Sequence, residues 1–167
     1  MIKNILGEEV NIENCLGCEI VSGDIKPVGG ILYKDDYFVV CQDFELPING
    51  FIIISTVKHC ERFCELTDDE RIKMINLVNK IIKLLRSYDV CEEFNMIFEE
   101  KENIHFHVWI MPRHKWMKEK FGKIIKNIKE IQDYALENMR DEDNVECIID
   151  TCNKLRKDLN NKYFMKN

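Results

Sequence analysis

Between Ile104 and Met111 the chain alternates strictly, and no other stretch limits its fold as much. Side chains two apart on a strand share a face. Ile104, Phe106, Val108 and Ile110 therefore point one way, toward a core, and His105, His107, Trp109 and Met111 point the other. Two imidazoles on one face of so apolar a strand are hard to explain by packing alone. The chain holds only four histidines, so two of them stand within three residues. A further strand, residues 94–98, precedes this one across the short polar segment 99–103.

Other elements are readable from punctuation and period. Residues 31–34 and 37–42 flank Asp35-Asp36 and resemble a hairpin. Residues 51–55 form an apolar strand after Leu46-Pro47-Ile48-Asn49-Gly50, which is turn chemistry. Thr67-Asp68-Asp69-Glu70 is a capping box, with Glu70 three positions after the N-cap. It predicts a helix to Ser87 with a buried stripe of Ile72, Ile75, Val78, Ile82 and Leu85. Past Pro112 the spacing predicts two helices, over 121–138 and 142–160. The first takes Ile124, Ile128, Ile131 and Leu136 for its apolar side; the second takes Val145, Ile148, Ile149, Cys152 and Leu155. Residues 1–29 read as an irregular lead-in, broken by Gly17, Gly23, Pro27, Gly29 and Gly30.

At 167 residues, 46% hydrophobic and 32% charged, the composition is that of one folded domain. No apolar run approaches the ~20 residues of a membrane-spanning helix. Acidic residues arrive at Glu8-Glu9, too early for a secretory leader, so a reducing cytoplasm is expected. A net charge of -6 argues against non-specific nucleic-acid binding, though not against a small phosphorylated ligand. Of eight cysteines, Cys41, Cys60, Cys64, Cys91, Cys147 and Cys152 lie mostly in apolar stretches and read as reduced, small hydrophobes. Lys118, Lys120, Lys123, Lys126 and Lys129 read as a solvated helix face rather than an anion strip.

Cys15 and Cys18 differ from the other six. Cys15-Leu16-Gly17-Cys18 can turn two sulfurs to one point, around a metal or as a redox pair. A redox pair usually opens a helix after a strand, and the lead-in gives no sign of one. Alone, His59 would suit a surface loop, and His105 a sheet histidine bonded to a carbonyl. Together, two thiolates and two neutral imidazoles close a tetrahedral zinc shell, which is a structural site without an open position. His107 then stands beside the metal without needing to bind it. A neutral imidazole with one nitrogen fixed by an acceptor and the other free is a good nucleophile toward phosphorus.

The segment His105-Phe106-His107-Val108-Trp109-Ile110-Met111-Pro112-Arg113 resembles the signature of the histidine triad (HIT) superfamily, three histidines alternating with apolar residues and followed in several members by Pro-Arg. The likeness extends over residues 15–113, through Asp43-Phe44-Glu45-Leu46-Pro47-Ile48-Asn49-Gly50, a strand, His59 and the acid-capped helix. It implies an α+β fold. An antiparallel sheet of about five strands would carry a long helix after the third strand and a helical C-terminal extension. Residues 1–113 would form the HIT-like domain, with 1–29 stapled by zinc. Residues 114–167 fall outside the motif and read only as helical; they are expected to pack on the same domain, building a homodimer interface or covering the pocket. Members with an N-terminal Cys-x-x-Cys, like the related galactose-1-phosphate uridylyltransferases, hold structural zinc with two cysteines and two histidines. That implies Cys15, Cys18, His59 and His105.

The implied activity is that of a nucleotide hydrolase or nucleotidyltransferase. It would act on the α-phosphate of a dinucleoside polyphosphate or nucleoside phosphoramidate, through a nucleotidyl-histidine on His107. The expected partner is a small-molecule nucleotide, with neither nucleic acid nor membrane involved. Asp43 falls where purine-nucleotide members hold ribose hydroxyls, although it would also start a turn. Two features depart from the family. Trp109 replaces the third histidine, where the uridylyltransferases carry glutamine; its indole donates but relays no proton. The 99–103 turn is too short for the glycine-rich phosphate loop, leaving Asn95, Asn103 and Arg113 as weak stand-ins. Loss of the third histidine also leaves open a nucleotide-binding module without turnover.

Overall fold

Apolar runs buried on both faces make a central sheet with helices on either side. The structure, a computed structural model, describes residues 1–98, 100 and 105–161. The chain begins with a two-rung hairpin (β1, Ile2–Lys3; β2, Glu9–Val10) and a short helix, α1 (Leu16–Ser22). The main strands follow: β3 (Tyr33–Lys34), β4 (Phe38–Gln42) and β5 (Ile52–Thr56). Helix α2 (Asp68–Ser87) leads to β6 (Phe94–Ile97) and β7 (His107–Pro112). Three helices end the fold: α3 (Lys115–Phe121), α4 (Ile128–Asn138) and α5 (Glu142–Leu159). The five main strands are antiparallel in the order β3-β4-β5-β7-β6.

The alternation in β7 is realised. Phe106, Val108 and Ile110 enter one apolar core with Phe38, Val40, Ile52 and Ile54, under α2 and α5. Trp109 and Met111 meet a second core with Cys41, Ile53 and residues of α1, α3 and α4. Ile104, Asn103 and most of the expected 99–103 turn lie outside the described residues. Thr67 caps α2: its hydroxyl accepts from the Glu70 amide at 3.3 Å, and the Glu70 carboxylate accepts from the Thr67 amide at 2.7 Å.

Three expectations need correction. First, the lead-in is not irregular, since it contains β1, β2 and α1. Second, α2 is rotated from its expected setting. Ile72 and Ile75 are 60% and 46% exposed, and the buried stripe is Met74, Val78, Ile81, Leu84 and Leu85. The two stripes share Val78 and Leu85, and Met74, Ile81 and Leu84 supply the more continuous apolar edge. Third, helix resumes directly after Pro112 as α3 and stops at Gly122, whose φ of 71° is left-handed. A 3-10 turn over Ile124–Asn127 intervenes before α4. Cys41, Cys60 and Cys152 are buried as expected, but Cys64 and Cys147 are exposed, so packing does not explain those two.

The turn between β4 and β5 is unusually well tied. Buried Gln42 donates through Nε2 to the Ile48 carbonyl at 2.9 Å. His114 bonds through Nε2 to the Asn49 carbonyl at 2.8 Å, and Asn144 of α5 donates to the Pro47 carbonyl at 2.8 Å. Segments 114–161 and 43–50 thus hold one another. Gly50 is obligatory here, because its φ is 78° and a Cβ would come within 2.7 Å of Val90.

Candidate functional site

Helix α1 presents the two cysteines. Cys15 is its N-cap and Cys18 lies in its first turn. Glu19 fixes the approach, since its carboxylate accepts from the amides of Glu13 at 3.0 Å and Asn14 at 2.7 Å. The Cys-x-x-Cys therefore does open a helix, contrary to the irregular lead-in expected there. What separates this pair from a redox couple is its surroundings, since both sulfurs face imidazoles.

The structure brings Cys15, Cys18, His59 and His105 together, with one donor atom from each and all four within 4.8 Å of one another. His105 Nδ1 lies 3.5 Å from each sulfur, and His59 Nδ1 lies 3.2 Å from Cys18 Sγ. A tetrahedron with metal–sulfur bonds of about 2.3 Å and metal–nitrogen bonds of about 2.0–2.1 Å has edges of roughly 3.3–3.8 Å. The cluster thus fits zinc in both donor chemistry and size.

His105 is oriented for this role. Its Nε2 donates to the Thr56 carbonyl at 2.8 Å, which leaves the Nδ1 lone pair toward the sulfurs. Burial lowers its pKa from 6.5, keeping the ring neutral, as a ligand must be. The loop bearing His59 is drawn alongside by a bond from the Phe106 amide to the Cys60 carbonyl, 2.7 Å.

Gly17 makes the approach possible. A Cβ there would lie 2.5 Å from His105 Cγ. Gly17→Ala is expected to weaken zinc binding and destabilise the fold by about 1–3 kcal/mol, the usual cost of overpacking. Denaturant melts with a zinc-competition titration would measure it, and unchanged values would refute the close approach.

His107 stands two residues on, half-buried, with its ring fixed at both nitrogens. Nδ1 bonds to the His105 carbonyl at 3.0 Å, and Nε2 bonds to the Trp109 indole at 2.7 Å. A carbonyl only accepts and an indole only donates, so the tautomer follows: Nδ1 carries the hydrogen and Nε2 the lone pair. Trp109 is itself seated edge-on against Phe51, ring centroids 5.6 Å apart.

A cavity of about 220 Å³ joins these groups; Asp43, Phe44, Ser55, His107 and Trp109 are among its lining residues, with Cys15 and His105 at the metal end. Asp43 does start a turn, its Oδ1 accepting from the amides of Glu45 at 3.0 Å and Leu46 at 2.8 Å. It also lines the cavity, so the two readings of this residue coexist. Burial pushes its pKa up to about 6, although the two backbone donors work against the shift.

The stand-ins for phosphate donors fare differently. Asn95 pairs with Met111 and is not among the lining residues. Arg113 is engaged by Glu93 at 3.0 Å. The lysines at 118, 120, 123, 126 and 129 are exposed, as expected. Ser55 was missed by sequence reasoning. It sits directly across from His107 in the β5–β7 ladder and lines the cavity. Only the strand register reveals it.

Comparison with known proteins places this geometry in context. No family model matches the chain. A HIT-like protein of Methanocaldococcus jannaschii, itself uncharacterized, is 30% identical over 122 residues, 68% of this chain and 91% of the relative. Among solved structures, a zinc-bound histidine triad family protein of Mycobacterium smegmatis superposes with a TM-score of 0.61 at 17% identity, covering 87% of this chain and 97% of its own. A HIT-like protein of Bartonella henselae, described as involved in cell-cycle regulation, gives 0.62 at 15% identity, covering 89% and 98%. Both likenesses speak to the fold. Among the described residues, no helix is long and apolar enough to cross a membrane. With a relative matched over nine-tenths of its length and the HIT fold around a Cys-x-x-Cys and histidine cluster, the chain belongs to the HIT-like family.

Proposed function

We propose that this protein is a nucleotide hydrolase or nucleotidyltransferase in which His107 Nε2 attacks the α-phosphorus of a nucleoside phosphate conjugate. The observation that carries the reading is the fixed His107 ring: Nδ1–H on the His105 carbonyl, and an Nε2 lone pair in the cavity that Asp43 also lines. Ribose hydroxyls donate to the Asp43 carboxylate. A phosphoryl oxygen takes over the indole N–H of Trp109, which uncaps Nε2 and places a donor where charge develops. The N–P bond forms as the bond to the leaving group breaks, and the His105 carbonyl holds Nδ1–H while the ring becomes cationic. Water, or a phosphate acceptor, then displaces the nucleotide, and the electron pair returns to Nε2. Zinc on Cys15, Cys18, His59 and His105 supplies a structural cross-link when bound. It serves to keep the N-terminal segment and β7 in register.

The 2.7 Å bond from Trp109 to Nε2 also favours a second reading, a nucleotide-binding module whose nucleophile stays capped. Incubation with labelled diadenosine tetraphosphate separates the two. Release of AMP, with a nucleotidyl adduct on His107 in the mass spectrum of denaturant-quenched protein, supports the enzyme. Binding with neither product supports the module.

Asp43 gives this reading a pH signature. Its raised pKa means the folded chain favours the protonated form. That contribution to stability is present below the ordinary 3.8 and is lost as pH rises through about 6. Ribose recognition runs the other way, because only the carboxylate accepts from both hydroxyls. Adenosine, which has no phosphate to titrate, is expected to bind roughly tenfold more tightly at pH 7 than at pH 5, one unit either side of the midpoint. Calorimetric titration checks this, and Asp43→Asn should flatten the profile; a flat profile in the unaltered protein removes Asp43 from ribose binding.

A further inference from the structure

We propose that Ser55 is a further catalytic side chain of this site, donating its hydroxyl to a non-bridging oxygen of the α-phosphate as His107 attacks phosphorus. The inference rests on His107 being the nucleophile. Ser55 lies directly across from His107 in the β5–β7 ladder. Residues so placed on an antiparallel pair share a face, with Cβ atoms about 4.5–5.5 Å apart. Both line the same cavity. Attack brings phosphorus to about 3–3.5 Å from Nε2. A phosphoryl group held there spreads its oxygens beside the ring, and a hydroxyl one strand away on the same face is within hydrogen-bonding reach of them.

The Ser55 hydroxyl is also unoccupied. Among the described residues it makes no hydrogen bond, whereas the hydroxyl of Thr56 beside it meets His105, Cys60 and the Phe106 carbonyl. The other four residues of β5 are buried, and Ser55 alone is half-open. A serine at this point interrupts a run of isoleucines without gaining a partner in the fold, which leaves its polar group to whatever enters the cavity.

The α-phosphate of a conjugate carries two non-bridging oxygens, and charge on them is what the protein has to meet. Trp109 supplies one neutral donor, two positions along the strand from His107. Ser55 supplies a second, from the strand alongside. The carboxyls of Asp43 and Glu45 differ in kind, since each donates only while protonated and otherwise accepts. A serine hydroxyl donates throughout the working pH range and repels no phosphate. No proton is transferred at Ser55. Nε2–P forms, the P–O bond to the leaving group breaks with its electron pair going to that group, and the serine keeps its hydrogen. Its contribution is that of a fixed donor at an oxygen where charge develops.

The test uses the p-nitrophenyl ester of AMP and the two diastereomers of its α-phosphorothioate. In each diastereomer sulfur, a weak acceptor, replaces one of the two non-bridging oxygens. Ser55→Ala is expected to lower kcat about 100-fold, the lower end for loss of one such donor, with KM little changed. In the unaltered protein, sulfur at the oxygen that Ser55 meets should slow cleavage by about tenfold or more, as for a hydrogen bond to a charged group. In the alanine variant that penalty should fall toward unity, and only for that diastereomer. Ser55→Thr keeps the hydroxyl on a side chain suited to a strand and should recover most of kcat. The diastereomers on the unaltered protein decide the matter even if the alanine variant folds poorly: both thio esters cleaved within about threefold of the oxygen ester would overturn the role of Ser55. So would an alanine variant that loses kcat with both thio penalties intact, or loses none, and either result leaves the His107 chemistry standing. Turnover that survives His107→Ala, or no turnover at all, would overturn both.

Discussion

His107→Ala is expected to lower turnover of a dinucleoside polyphosphate on the order of 10⁴–10⁶-fold, the range seen when a covalent nucleophile is removed. The loss should be almost entirely in kcat. The side chain's bonds in the resting protein run to the His105 carbonyl and the Trp109 indole, and the ring is only half-buried. Removing it should therefore cost little stability. Zinc content should be unchanged, because His107 is outside the ligand cluster. Adenosine affinity should also persist through Asp43. Steady-state assays beside metal analysis and a binding titration would separate these effects, and an alanine variant within tenfold of the parent would end the covalent mechanism.

Cys18→Ser should have the largest effect on stability. Structural zinc contributes apparent binding energies of about 10–16 kcal/mol in small fingers, where it is the whole fold. Here two extensive apolar cores contribute stability of their own, so only a share of that energy is at stake. Several kcal/mol is expected, and for a chain of this size each kcal/mol moves Tm by about 2–4 °C. A fall in Tm of about 10 °C, with loss of bound zinc, is the expected result. Chelation of the parent should reproduce it, and acidification should weaken the metal as the thiolates take up protons. A serine variant that melts with the parent would mean that the cluster does not staple the fold.

The difference between what was legible and what was not has a physical origin. The face shared by His105, His107 and Trp109 follows from the two-residue period of a strand, and the start of α2 from the chemistry of Thr67 and Glu70. Both are local rules. The hairpin β1–β2 has two residues per strand, too few for any period to show. The setting of α2 escaped because two apolar stripes run along it, and only the sheet beneath selects one. Ser55 and Thr56 act through cross-strand register, which no local pattern encodes. Placing Trp109 on the same face as His107 was within reach of the sequence. That its N–H lands on Nε2 is a matter of how the ring is seated in the fold, edge-on against Phe51.

His105 meets two demands with opposite ends of one residue. Its imidazole faces the sulfurs, while its peptide oxygen steadies the neighbouring imidazole two positions along. The cysteine–histidine cluster and the proposed nucleophile are thereby fastened to a single stretch of backbone. A disturbance at residue 105 therefore reaches the alignment of residue 107 across a single intervening residue, while loss of the second ring leaves the first in place.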